Sequence, residues 1–256
     1  MFFMFYWDII HTDLINVVRE FFHHSFLPFG LNSNFIDLIP KKDNAMDIKD
    51  FRPVVIGNKI HKIISKIMAI RLGEVAKNII TTNQFGFVPG RNIQNFMFTT
   101  SECVNIMKGK VLNGNMSIKI DISKVFDTIR WDFIHNILRM HGFSEKLICL
   151  IFSILESARL SILVNGSPRG FFKCTRGVRQ GDPLSGILFA MAEDHLSVCL
   201  HDLVNSGIYQ RMREGRKSFA SSHPLYVDDI LLFFEADKKK ISSIKMIFSH
   251  YEEVSG

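Results

Sequence analysis

The chain has 256 residues, 47% of them apolar and 22% charged, with a formal net charge of +6. That apolar content excludes wholesale disorder, and the length sits at the upper limit for a single core, so one large domain or two joined lobes is expected. With 16 Gly and 7 Pro and no repeat period, collagen-like and low-complexity classes fall away as well.

The opening MFFMFYW is apolar but lacks a basic flank, and Asp8 and Asp13 follow too soon for a secretory leader. No run of about 18 uncharged apolar residues offers a membrane span. Asp8 to Phe22 has helical spacing, with Ile9, Leu14, Val17, Val18 and Phe21 on one stripe. FIDLIP (35–40) reads as a short strand stopped by Pro40, and KKDNAMDIKDFRP as a polar, turn-rich connection. From Lys59 the pattern is helical again. Ile60, Ile63, Ile64 and Ile67 form an inner face, while Lys59, Lys62 and Lys66 form a basic stripe. TTNQFGFVPGRN (81–92) is loop-like and precedes a helix through Met107.

MSIKID (116–121) alternates apolar and polar residues, the two-residue period of a half-buried strand, and Asp121 ends it on the polar face. Helices follow around Phe133–Leu138 and Glu145–Leu155. LSILVNGSPRGFFKC (160–174) predicts a hairpin turning at Asn165–Gly166. A helix from Pro183 to about Leu203 comes next. LYVDDILLFF (225–234) predicts a hairpin with Asp228 and Asp229 at its tip, and Lys238 to Glu253 a last helix. Cys103, Cys149, Cys174 and Cys199 form no CxxC pair, and the ten His offer no HExxH spacing. Reduced thiols in an intracellular protein are expected, without zinc.

Charge is concentrated. Lys41, Lys42, Lys49, Arg52, Lys59, Lys62, Lys66 and Arg71 outnumber Asp43, Asp47 and Asp50, and residues 168–179 hold Arg169, Lys173, Arg176 and Arg179 with no acid. These two stretches exceed the net charge of the whole chain. Concentrated positive potential suits a polyanion, because each neutralised phosphate releases counterions; solvated faces are the plainer account.

Asp121 closes one apolar strand while Asp228 and Asp229 interrupt another, and carboxylates in such contexts need compensation. A divalent cation supplies it. Magnesium takes hard oxygen ligands from one or two carboxylates plus substrate phosphates. Two such ions about 3.5–4 Å apart support in-line phosphoryl displacement. Taken singly, each acid also fits a turn or a helix cap.

Read together, FRPVVIGNKIHKIISKIMAIRL, QFGFVPGRNIQN, IKIDISKVFDTIRWDF, NGSPRGFFKCTRGVRQGDPLSGILF and LYVDDILLFF resemble, in order and spacing, the blocks of a reverse transcriptase of the LINE-type, non-LTR retrotransposon branch. The resemblance implies an α+β right-hand polymerase fold, with fingers and a palm whose antiparallel sheet packs on helices. It divides the chain into a helical extension (1–34), fingers (35–115) and a palm (116–256), incomplete at its C-terminus and without a thumb. It implies Asp121, Asp228 and Asp229 as catalytic carboxylates, with Asp121 and Asp228 as ligands of two Mg²⁺ ions, for which Mn²⁺ is a substitute.

By the same resemblance, Lys41, Lys42 and Arg52 hold the incoming triphosphate, to which a guanidinium fork is suited. Gln180 and Gly181 line the nucleotide pocket, Gly181 by permitting close approach. Phe126 matches the aromatic gate against a ribose 2′-hydroxyl, with an ordinary core aromatic as the competing account. Lys59, Lys62, Lys66, Arg91, Arg176 and Arg179 face nucleic acid. The partners implied are an RNA template, a DNA primer and deoxynucleoside triphosphates, with no membrane, inside the nucleus or cytoplasm. Val227 stands where the family has Ala, and Gly186 where it has Pro, the latter loosening its helix by up to roughly 1 kcal/mol. A fragment that binds RNA or hybrid duplex without turnover, and a palm reused as a scaffold, are the alternative functions.

Overall fold

The computed structural model describes residues 2–108, 114–122, 124–214, 218–219, 221–236 and 238–256. Its helices and strands, in chain order, are α1 (Phe2–Phe5), α2 (Trp7–His24), β1 (Ser33–Pro40), β2 (Phe51–Ile56), α3 (Lys59–Ile79) and α4 (Ile93–Met107). Then come β3 (Asn115–Asp121), α5 (Val125–Thr128), α6 (Trp131–Met140), α7 (Glu145–Glu156), β4 (Arg159–Val164) and β5 (Ser167–Lys173). The chain ends with α8 (Pro183–Asn205), β6 (Arg213–Glu214), β7 (Ser218–Phe219), β8 (Leu225–Tyr226), β9 (Asp229–Glu235) and α9 (Lys238–Ser255).

Two compact units result, one of Met1–Ala69 with Leu138–Ser185 and the other of Ile70–Ile137 with Gly186–Gly256. The expected cuts at residues 35 and 116 do not coincide with them. The cause is topological. β4 pairs in parallel with β1, from Ser33 opposite Arg159 to Ile36 opposite Ile162, which returns a late segment to the start of the chain.

The first unit is built on a four-stranded sheet in the order β2-β1-β4-β5. The stretch read as a polar connection ends in β2, antiparallel to β1. Pro53 is tolerated there because β2 is an edge strand, where a missing N–H costs no ladder bond. Asn165 and Gly166 turn the β4–β5 hairpin with φ of 52° and 74°, the two positive values of a type I′ turn. Ile148, Ile151, Ile154 and Leu155 of α7 are buried, at the i, i+3, i+4 spacing of an amphipathic helix.

The second unit holds a three-stranded antiparallel sheet in the order β3-β9-β8. β9 is central, and Ile230, Leu232, Phe233 and Phe234 are all buried. Edge strand β3 exposes Ser117, Lys119 and Asp121, as its alternation predicts. From Gly186 to Asp194, α8 is buried on every side, and Glu193 and Asp194 are buried there with polar partners, Gln84 and Thr81. The chain is therefore a mixed helix-and-sheet protein whose palm-like sheet is antiparallel, with the carboxylates at one end of β3 and β9.

Candidate active site

The register of β3 and β9 sets the site. It runs from Asn115 opposite Glu235 to Asp121 opposite Asp229, so those two acids are cross-strand partners on the same face. Side chains so placed have their Cβ atoms about 4.5–5.5 Å apart. Asp228 occupies the two-residue tip between β8 and β9, and its carbonyl accepts the Ile122 N–H at 3.2 Å. The three acids, separated by more than a hundred positions in sequence, converge at the open end of one strand pair.

Their proximity draws a cation from within the chain. Lys119 Nζ sits 2.6 Å from Asp229 Oδ1. The hydrogen bond to Asp229, then its charge and those of Asp121 and Asp228, hold the Lys119 ammonium above the usual lysine range. Among the described residues, no three Asp, Glu, His or Cys side chains gather as a ready-made metal site. The donor set still fits a hard divalent ion, since Asp121 and Asp228 offer carboxylate oxygens and substrate phosphates complete such shells.

The tip is shaped from below. Val227 has φ of +58°, a left-handed conformation that is strained for a β-branched side chain. The segment before α4 pairs with β8: Phe85 N–H donates to Leu225 O at 2.9 Å and Leu225 N–H to Asn83 O at 2.8 Å. Gln84, fully buried, accepts the Gly86 N–H on Oε1 at 2.8 Å and donates through Nε2 to the Glu193 carboxyl. Burial pushes the Glu193 carboxyl well above the usual carboxylate range; Gln84 opposes that shift, while Asp228 and Asp194 add to it. Its Oε1 is buried without a hydrogen-bond partner among the described residues. Sequence reasoning missed Lys119, Gln84, Gly86 and Glu193. The one available signal was an acid enclosed in an apolar helix.

Phe126 lies half-buried in this unit, stacked on Phe189 with centroids 4.7 Å apart and edge-on to Phe87 at 5.9 Å. Gly186 makes room for Phe87. A β-carbon at Gly186 would stand 2.5 Å from that ring, so the helix carries glycine for packing. Beside Asp121, a cleft of about 440 Å³ follows β3 to α9, lined by Ile120, Ile122, Thr128, Lys245, Phe248 and Tyr251.

Arg91, expected at nucleic acid, donates to the carbonyls of Ile80, Thr81 and Gln84, pinning the loop that carries Gly86.

The other assigned cations belong to the first unit. Arg52 is exposed on β2 opposite Ile39. Lys42 pairs with Asp50 at 2.9 Å, and Lys41 donates to Lys49 O. Lys59, Lys62 and Lys66 share one face of α3, the first and last exposed, and Arg176 is exposed. Arg179, assigned to the template, is engaged within the protein. Its guanidinium donates to Asn32 Oδ1 and Ile154 O and is buried deeply enough to be pushed below the usual arginine range. Gln180 and Gly181 are exposed. Chain neighbours aside, no atom of the described residues lies within 4 Å of a β-carbon built on Gly181, so its φ of +85° is what calls for glycine there.

The chain is also similar to known proteins. The signature described as "Reverse transcriptase (RNA-dependent DNA polymerase)" matches residues 39–255. The chain is 28% identical over 231 residues to the transposon TX1 149 kDa protein of Xenopus laevis, covering 90% of this chain and 17% of that one. It is 22% identical over 257 residues to the Pol polyprotein of the R2 retrotransposable element of Nasonia vitripennis, covering 96% and 23%. It thus spans about a fifth of the length of these curated relatives. In fold it is similar to apo telomerase from Candida tropicalis, with a TM-score of 0.59 at 14% identity over 87% of this chain and 42% of that one. The match over most of the chain shows that this protein belongs to the reverse transcriptase family, among relatives that are polyproteins of non-LTR retrotransposons.

Proposed function

We propose that this chain is the catalytic core of an RNA-directed DNA polymerase that extends a primer 3′-hydroxyl with deoxynucleoside triphosphates. The primer oxygen attacks the α-phosphorus, the bond from that phosphorus to the bridging oxygen breaks, and pyrophosphate leaves. The observation that carries this reading is the pairing of Asp121 with Asp229 across β3 and β9, with Asp228 at the adjoining tip. The family works with divalent metals, and Asp121 and Asp228 would hold two Mg²⁺ ions, with Mn²⁺ as a substitute. Such ions neutralise charge on the attacking and leaving oxygens. The rest is positioning. Lys41, Lys42 and Arg52 would bind the triphosphate, Gln180 and Gly181 would border the incoming base, and Phe126 would exclude a 2′-hydroxyl. Lys59, Lys62, Lys66 and Arg176 would follow the RNA template and DNA primer backbones.

Primer extension on an RNA template with Mg²⁺, with Asp228→Asn as control, tests the proposal. Incorporation that the substitution abolishes supports it. Salt-sensitive RNA binding with no incorporation by the unsubstituted chain selects a binding fragment instead.

A further inference from the structure

We propose that Lys119 is a tethered counter-ion of the carboxylate site, one that occupies Asp229 in the absence of a divalent cation and lowers the site's affinity for that cation. The inference rests on the reading of Asp121 and Asp228 as ion ligands, and it concerns a residue which that reading leaves unused.

The placement follows from the sheet. Lys119 and Asp121 are two residues apart on β3 and point to the same face, while Lys119 stands opposite Leu231 and Asp121 opposite Asp229. Asp229 is thus the diagonal neighbour of Lys119, within reach of a long side chain. In the other direction along this face lies an apolar cluster of Cys103, Met212 and Phe233, against which Leu231, Ile106 and Met107 pack. An ammonium gains nothing there. It extends toward the acids and closes to 2.6 Å on Asp229 Oδ1.

Three carboxylates at one strand end repel one another, and a cation among them removes much of that cost. Lys119 supplies one positive charge, which a divalent ion must overcome electrostatically to enter. The ammonium need not leave the surface when that happens: its side chain is 62% exposed and can turn to water. Asp229 then gains freedom to face the ions. A residue that merely decorates the surface would leave ion affinity unchanged. Lys119 instead sets the concentration at which the site fills.

The test is direct titration of the whole chain with Mn²⁺, read by the loss of the free-ion electron paramagnetic resonance signal. Lys119→Met keeps length and removes charge, and it should bind Mn²⁺ about three- to tenfold more tightly than the unsubstituted chain. Lys119→Arg should restore the weaker affinity. Because the position is exposed, both variants should melt cooperatively, as circular dichroism checks. Lys119→Met with equal or weaker Mn²⁺ affinity overturns the proposal. Asp121→Asn separates the two levels. If it leaves Mn²⁺ binding intact, the ion-ligand reading fails and this inference with it. If it abolishes binding while Lys119→Met changes nothing, only the counter-ion role fails.

Discussion

Gly86 lies against Val227 so closely that a β-carbon on Gly86 would stand 2.7 Å from the Val227 amide nitrogen and 2.8 Å from its Cγ2. The first of these is backbone, which cannot rotate out of the way. Val227 is itself held at φ +58°, at a cost of about 1–2 kcal/mol for a residue with a β-carbon. The tip that presents Asp228 is therefore kept in a strained shape by a floor with no room to spare. Gly86→Ala should lower stability by about 1–3 kcal/mol and reduce primer extension at least tenfold. Adding Val227→Gly, which relaxes both the side-chain clash and the strain, should recover part of each loss. Chemical denaturation and single-nucleotide incorporation measure the two effects. A Gly86→Ala chain with wild-type incorporation would show that the floor does not set the tip.

Beneath that floor, Glu193 serves as a hydrogen-bonding group rather than a charge. It is completely buried, touches Gln84, and is held toward its neutral form by burial and by nearby Asp228 and Asp194. Glu193→Gln keeps the size and an acceptor for Gln84, so stability should change by less than about 1.5 kcal/mol. Glu193→Ala leaves a cavity and an unpaired Gln84 amide, which should cost about 2–4 kcal/mol. Urea denaturation of the two variants compares them directly. Equal losses would mean that Glu193 contributes volume alone.

These relationships explain which parts of the molecule could be read from its letters. Asp121, Asp228 and Asp229 could be placed at strand ends because each adjoins a strand-forming apolar stretch, and the register then had only to bring two strand ends together. The Asn165–Gly166 hairpin was legible because two consecutive positive φ values favour those residues. Glu193 was not: its meaning depends on Gln84, 109 positions away, and no local pattern reports such a contact. The internal hydrogen bonds of Arg91 and Arg179 were hidden for a related reason. A basic residue in a positive stretch looks like a phosphate contact until the carbonyls that engage it are placed. β2 was hidden by Pro53 and by polar neighbours, whose effect is mild only because the strand lies on a sheet edge.

The first unit carries a titration that should be visible in its stability. His61 is buried, and burial, then the neighbouring charges of Arg179 and Lys62, push its pKa from 6.5 to about 3. Asp182 lies 3.8 Å away, but its carboxyl is itself raised by burial, so we take the imidazole as neutral. Between pH 6.5 and 3 the unfolded chain takes up this proton while the folded chain refuses it. Acidification through that window therefore destabilises, by up to about 1.4 kcal/mol per pH unit for this one group. Glu193 acts in the opposite sense, since its raised pKa makes the folded state the better proton acceptor. The total slope mixes both, and the difference between the wild type and His61→Leu isolates the histidine. That difference should shift in favour of the variant as pH falls from 6.5 to 5. Parallel stability curves over this range would mean that His61 titrates normally in the fold.

Phe126 is where packing and selectivity can be separated. Its ring stacks on Phe189 and meets Phe87 edge-on, so truncation should cost about 1–3 kcal/mol whatever its role in the reaction. Yet the ring is only half-buried, and it stands five residues beyond Asp121 in the same unit. A half-buried planar ring can refuse an extra oxygen on a sugar placed against it by steric contact alone. Phe126→Val should therefore lower the preference for deoxyribonucleotides over ribonucleotides, measured as the ratio of kcat/KM values, by at least about tenfold. The stability loss and the selectivity loss need not move together. Phe126→Leu, which fills more of the same space, should recover most of the stability while leaving much of the selectivity loss in place. A Phe126→Val chain that is less stable but equally strict toward ribonucleotides would assign the ring to the core formed with Phe189 and place the sugar discrimination elsewhere.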